Sequence, residues 1–153
     1  MNKGLLGALI GLLFYCCQAP LWCQHSTNIL KASQKLPPQL VEVYADRPWN
    51  ETSILVQQGD LLIIRYVSGS WSPWSGGAYD AIGFGGNPNC DCNVMKGISH
   101  AALIGKIGEG SPFFIGENFH HRMGEAGILY LGINDTRTTD NSGFLLVQVE
   151  VWR

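Results

Sequence analysis

Three oxygen-bearing side chains, Asp135, Asp140 and Asn141, fall within seven residues near the end of the chain. Carboxylates and amides at this spacing can converge on a hard cation. Calcium takes about six to eight oxygens at roughly 2.3–2.6 Å, drawn from carboxylates, amides and backbone carbonyls. A loop that curls round one point supplies both side-chain and carbonyl oxygens. Two carboxylates would offset the charge of the ion, and Asn141 would add a neutral oxygen. The same residue types also build ordinary β-turns, because they bond their own backbone and tolerate left-handed conformations. The EF-hand pattern is absent, so no generic calcium motif separates the two readings.

Other reactive residues offer less. His100, His120 and His121 stand well away from His25, and the adjacent pair His120-His121 would point to opposite faces of a strand, a poor metal pair. No nucleophile elbow or HExxH motif occurs. Asp80 with Asp91, or Glu117 with Glu125, resembles a glycosidase pair only as any chain does, and these side chains read as solvated. Cys90 and Cys92 leave a disulfide, two free thiols or an intermolecular bridge open. Even with His100 they fall short of the four ligands zinc needs. Asn50-Glu51-Thr52 and Asn134-Asp135-Thr136 match the glycosylation sequon. A glycan on Asn134 would crowd the suspected cation loop, which favours a bacterial source.

The elements that must position these groups are strands. The segment 143–152 alternates cleanly, with Leu145, Val147, Val149 and Val151 on one face and Gln148 and Glu150 on the other. Val41, Val43 and Ala45 alternate in the same way. Residues 52–57 and 61–67 flank a Gln58-Gly59-Asp60 turn and read as a hairpin. Residues 101–107, 113–116 and 127–133 are further apolar strand candidates, and no useful amphipathic helix appears. Between them lies a long stretch, 68–99, rich in Gly, Ser, Pro and Asn, and loops of that length are usually functional or mobile. It carries Trp71, Trp74 and Tyr79, whose rings could stack on the apolar face of a sugar, although Trp71 reads also as core and Trp74 equally well as a cap on the sandwich.

The formal charge is −2, so no broad basic surface draws the chain to nucleic acid or anionic lipid. Nineteen glycines, 16 aromatic residues and only 14% charged residues suit an all-β sandwich. Residues 1–23 read as a signal peptide, with Lys3 at a positive start and an apolar run of 13 residues over 5–17. A membrane span needs about 20 apolar residues, and Gln18 and Pro20 interrupt this run too early. The protein is therefore expected to be secreted or periplasmic, with no membrane span. Residues 24–39 are polar, carry Pro37-Pro38 and are expected to form a flexible arm before a domain over 40–153.

The stretch Tyr130-Leu131-Gly132-Ile133-Asn134-Asp135, followed by Asp140-Asn141-Ser142-Gly143-Phe144, resembles the PA-I-type bacterial galactose lectins. Gln57-Gln58-Gly59-Asp60-Leu61, Ser70-Trp71 with Trp74, and Ala102-Leu103-Ile104-Gly105-Lys106-Ile107-Gly108 resemble three further pieces of that family in the same order. The resemblance spans roughly residues 41–152. It implies a β-sandwich of jelly-roll, galactose-binding-domain-like form in which calcium bridges protein and sugar. Asp135 would then be the first carboxylate ligand, with Asp140 and Asn141 in place of a paired Asn-Asn. The carbonyls of Trp74 and of Arg137 or Thr138 would complete the protein's share. Trp74, Asp135, Thr136, Asp140 and Asn141 would touch the sugar. Two departures stand out: the loop is two residues shorter than the family form, and Asp140 replaces an asparagine. A His and a Gln that contact galactose in the family find no counterpart between Tyr79 and Asn93.

The expected function is calcium-dependent binding of a carbohydrate, galactose in the first instance, without catalysis. Homo-oligomerisation would fit, because linking weak sites raises avidity by orders of magnitude. The rival readings are a secreted interaction sandwich without sugar binding and a small glycoside hydrolase.

Overall fold

The computed structural model describes residues 33–153, so the expected leader over 1–23 and most of the expected arm lie outside the described residues. Eight strands follow one another: β1 (Gln39–Tyr44), β2 (Asn50–Val56), β3 (Leu61–Ser72), β4 (Leu103–Ile107), β5 (Phe113–Phe114), β6 (Asn118–Arg122), β7 (Gly127–Ile133) and β8 (Ser142–Trp152). They form two four-stranded sheets, ordered β1-β8-β3-β6 and β2-β7-β4-β5. Every pairing is antiparallel. Successive strands mostly alternate between the sheets, which is the jelly-roll form of a β-sandwich. The expected all-β sandwich is therefore what the chain adopts. Among the described residues no helix is long and apolar enough to cross a membrane.

The period-2 pattern of β8 explains its central place. Leu145, Val147, Val149 and Val151 are at most 3% exposed and face the core. Val43 from β1 and Leu62 and Ile64 from β3 join them from the same sheet. Ile54, Val56, Leu129 and Leu131 close over them from the other sheet. Fully burying each such side chain contributes about 1.5–3 kcal/mol.

The hairpin expected over 52–67 does not form. β2 pairs with β7 in one sheet and β3 with β8 and β6 in the other, so the turn at 57–60 is a corner of the sandwich. Burial on both sides decides this, since Ile54 and Val56 can face Leu62 and Ile64 across the core only if the strands lie in different sheets. Asp60 fastens the corner, its Oδ2 accepting from the Gln57 N–H at 2.9 Å and from Arg153 Nε at 3.3 Å.

Two further boundaries differ from expectation. Strand β3 does not stop at Val67 but runs to Ser72, because its small residues Ser68, Gly69 and Ser70 pair with Leu146, Leu145 and Phe144. The end of the expected arm is not free either. The Gln34 and Leu36 N–H groups donate to the carbonyls of Arg153 and Val151 at 2.7 and 2.9 Å, and Gln39 already belongs to β1. Lys35 lies 2.6 Å and Arg65 2.8 Å from the carboxylate of Glu150, which is only 6% exposed. Lys35 first, then Arg65, holds that carboxyl below the usual range against the opposing push of burial.

The pairing between the end of β3 and the start of β8 depends on a glycine. Trp71 stands opposite Gly143 and Ser72 opposite Ser142. Gly143 has φ of 82°, and a Cβ there would collide with the Ser70 carbonyl oxygen. Gly143→Ala is expected to destabilise the fold by about 2 kcal/mol or more, through a left-handed alanine and the displaced strand. Urea unfolding measures it, and an unchanged midpoint would mean that the strands can separate here without loss.

Candidate functional site

The ladder between β3 and β8 delivers two loops to one end of the sandwich. One is the short connection 134–141 between β7 and β8. The other is the long segment 73–102 that leaves β3 and returns at β4. A pocket of about 320 Å³ lies between them. Of the expected site residues it takes in Trp74, Asp135, Arg137 and Asp140, and it adds His100 and Cys92.

The short loop is built around hydrogen bonds to its own backbone. Asp135 is 5% exposed, and its Oδ1 accepts from the Arg137 N–H at 2.9 Å. A 3-10 turn follows over Thr138–Asp140, in which Thr138 is buried and its carbonyl accepts from the Asn141 N–H at 3.2 Å. Arg137 reaches over the turn and forks onto the Asp140 carboxylate, with Nε at 3.2 Å. That guanidinium holds the Asp140 carboxyl below its usual range. Asn141 is buried, and its Nδ2 donates to the Ala45 carbonyl at 3.2 Å. Its Oδ1 is equally buried and, among the described residues, has no hydrogen-bond partner. An acceptor left so costs about 1–3 kcal/mol, and native structures leave few of them. Thr136 points elsewhere: its N–H and hydroxyl both donate to the Cys92 carbonyl, at 2.9 and 3.2 Å.

The long segment forms the opposite wall. Trp71 is core, 1% exposed, with its indole N–H donating to the Ala101 carbonyl at 2.9 Å. Trp74 is half-buried and lies flat on His100, ring centroids 5.7 Å apart and planes 3° from parallel. Phe84 meets Trp74 edge-on at 4.9 Å, and Tyr79 is tilted against it at 5.7 Å. The Trp74 carbonyl accepts from the Ser72 hydroxyl. Ala101 adopts φ of 62°, an uncommon left-handed conformation for alanine, where its N–H donates to the Asn134 carbonyl at 3.2 Å. Such strain persists only where the surroundings over-determine it. Cys90 and Cys92 form an intrachain disulfide across two positions of sequence.

Asn134 joins the walls. It is fully buried; its Oδ1 accepts from the Met95 N–H at 2.7 Å, and its Nδ2 donates to the carbonyls of Ser99 at 3.0 Å and of Met95 at 3.2 Å. The sequence marks Asn134 only as a sequon, yet its amide is consumed inside the protein. The other sequon residue, Asn50, is likewise buried, donating to the Tyr44 carbonyl at 2.9 Å. Neither side chain is available to carry a glycan in the folded state. His100 and Cys92 escaped sequence reasoning as site residues because only pairing across some 35 to 45 positions brings them there; Asn134 adjoins Asp135 in sequence, but its bonds to Met95 and Ser99 are equally long-range, and no local pattern reports them.

The donor set suits an oxygen-seeking cation. Asp135 offers a buried carboxylate, Asn141 a buried amide oxygen in need of a partner, and Asp140 a second carboxylate. Among the described residues no three of His, Cys, Asp and Glu gather to hold a metal, so any ion here would depend on amide and backbone oxygens, as calcium does. Asn134→Ala is expected to destabilise the protein by about 2–4 kcal/mol, since several buried backbone groups lose their partner at once. Hydrogen exchange should show the Met95 amide opening faster, and unaltered protection there would remove Asn134 as the link between the walls.

No family model matches the chain, and none of the curated proteins does. Among solved structures the chain is similar to one described as "EclA N-terminal domain; PllA-like lectin", with a TM-score of 0.58 and 19% identity over 73% of this chain and 94% of that one. A likeness at that identity concerns the fold.

Proposed function

We propose that this protein is a calcium-dependent carbohydrate-binding protein, a lectin rather than an enzyme, working outside the cytoplasm. The observation that carries the reading is the buried Oδ1 of Asn141, without a partner among the described residues, in the same loop whose Asp135 and Asp140 line the pocket. A calcium ion bound there would offer coordination positions to two neighbouring sugar hydroxyls. Asp135, Asp140 and Asn141 would hold it, with carbonyls from Trp74 and from Arg137 or Thr138.

The chain's own residues do the rest. Trp74 and its aromatic neighbours give an apolar wall to a pocket whose floor is polar, a normal balance for a small-ligand site. Sugar rings carry such a division themselves, with C–H faces and hydroxyl edges. Asn134, through its bonds to Met95 and Ser99, keeps the wall and the floor in register, so little ordering remains to be done on binding. The likeness in fold to a lectin domain supports the same reading. Galactose is the first sugar to try, from the sequence resemblance to galactose lectins. A modest affinity per pocket would make oligomerisation useful, by avidity.

One observation favours a second reading. Arg137 already neutralises Asp140, so that carboxylate is satisfied without a metal. A sandwich domain serving only as an interaction module would be content with that pair. Calorimetry decides between them, titrating galactose and a monosaccharide panel into the protein with calcium and then with EDTA. Binding is expected only with calcium, and Asp135→Ala is expected to weaken it by about a hundredfold or more, as loss of a charged ligand should. Heat from calcium with none from any sugar would favour the interaction module.

A further inference from the structure

His100 is only 9% exposed, and its two ring nitrogens meet different surroundings. Nδ1 lies 2.8 Å from Asn93 Oδ1. The orientation of that amide is dictated by what lies on its other side. Asn93 Nδ2 faces the backbone carbonyls of Pro88 at 3.0 Å and of Asn87 and Ile98 at 3.4 Å. Turning the amide over would set its oxygen against three carbonyl oxygens, so the oxygen must face the histidine. An oxygen accepts, hence Nδ1 carries the hydrogen. In the neutral ring Nε2 is then a lone-pair acceptor.

That acceptor opens on the pocket. Asp135 Oδ2 is 4.0 Å from Nε2, beyond hydrogen-bond reach, and is itself an acceptor. Two acceptors that face one space call for a cation or a donor between them. Calcium takes oxygen ligands, so a hydroxyl is the partner that suits Nε2. The ring cannot turn away, because it is stacked on Trp74 and tied at Nδ1.

We infer that His100 Nε2 accepts a hydrogen bond from one sugar hydroxyl beside Asp135, and that Asn93 positions it by holding the ring as the Nδ1–H tautomer. The inference rests on the carbohydrate-binding reading and names the feature of the sugar that the site selects: a free hydroxyl at that position, rather than its deoxy or O-methyl form. His100 is the specificity-determining residue and Asn93 the positioning residue.

The test has two readouts. The first is the ¹⁵N spectrum of the His100 ring in the calcium-free, sugar-free protein, in mildly alkaline buffer. It should show the Nδ1–H tautomer in the wild type and a mixture of tautomers in Asn93→Leu. The second is calorimetry on the calcium-loaded protein with galactose, or whichever panel monosaccharide binds tightest, and with its monodeoxy derivatives. His100→Phe keeps the aromatic stack and removes the acceptor, and should weaken the parent sugar about tenfold. It should leave one deoxy derivative nearly unaffected, while calcium affinity without sugar stays as in the wild type. His100→Gln, which returns an acceptor at similar reach, should recover part of the loss and serves if the phenylalanine variant fails to fold. A wild-type ring found as the Nε2–H tautomer or as imidazolium overturns the inference, and so does a wild-type affinity for every sugar in both variants. A calcium-loaded wild type that binds no sugar sinks the carbohydrate reading itself.

Discussion

The ladder between β3 and β8 is the constraint from which the site follows. It runs from Leu61 opposite Trp152 to Ser72 opposite Ser142, with a single bulge between Tyr66 and Ser68. Its far end places the departure of the aromatic segment beside the arrival of the acidic loop. Gly143 and Gly69 let the two backbones close without side chains between them. Were that ladder one residue out of register, the inward set of β8 would face solvent. Trp71 would leave the core and Trp74 would no longer stand across from Asp135.

The buried polar side chains of the two loops are almost wholly satisfied. Asn134 and Asn93 each bind several backbone groups, and Asp135 caps its own turn. A set so completely bonded is rigid, since every partner lost would leave a buried group exposed to the cost of desolvation. Against that background the exceptions carry information. Among the described residues Asn141 Oδ1 has no partner, and His100 Nε2 faces another acceptor, Asp135 Oδ2, at 4.0 Å. Both are held in place by neighbours that are fully engaged, so neither can turn to relieve itself. They are the two atoms through which a metal and a hydroxyl would improve the protein's own bonding.

Local pattern carried part of this. The alternation of β8 named its buried face correctly, and the crowding of Asp135, Asp140 and Asn141 pointed at the loop that borders the pocket. What failed was long-range. The turn at 57–60 has hairpin composition, but burial on both of its strands sends them to opposite sheets. Ser68-Gly69-Ser70 reads as loop, yet pairs because β8 lies alongside. Strand β6 has no apolar alternation to mark its bounds beyond the His120-His121 pair, since Asn118, His120, His121 and Arg122 are polar and it sits at an edge with Phe119 as its inward anchor. His100 acquires meaning only from Asn93 and Trp74, and nothing in its immediate sequence distinguishes it from a core histidine.

The most direct measurement is thermal unfolding of the sugar-free wild type and of Asn141→Leu, each in calcium and in EDTA. A ligand that binds only the folded state stabilises it by about 2.7 kcal/mol at a hundred times its dissociation constant. Calcium is expected to raise the unfolding temperature of the wild type by several degrees and to leave Asn141→Leu unmoved. A wild type indifferent to calcium, or an Asn141→Leu variant that responds as strongly as the wild type, would contradict the assignment of the Asn141 amide oxygen to a calcium ion.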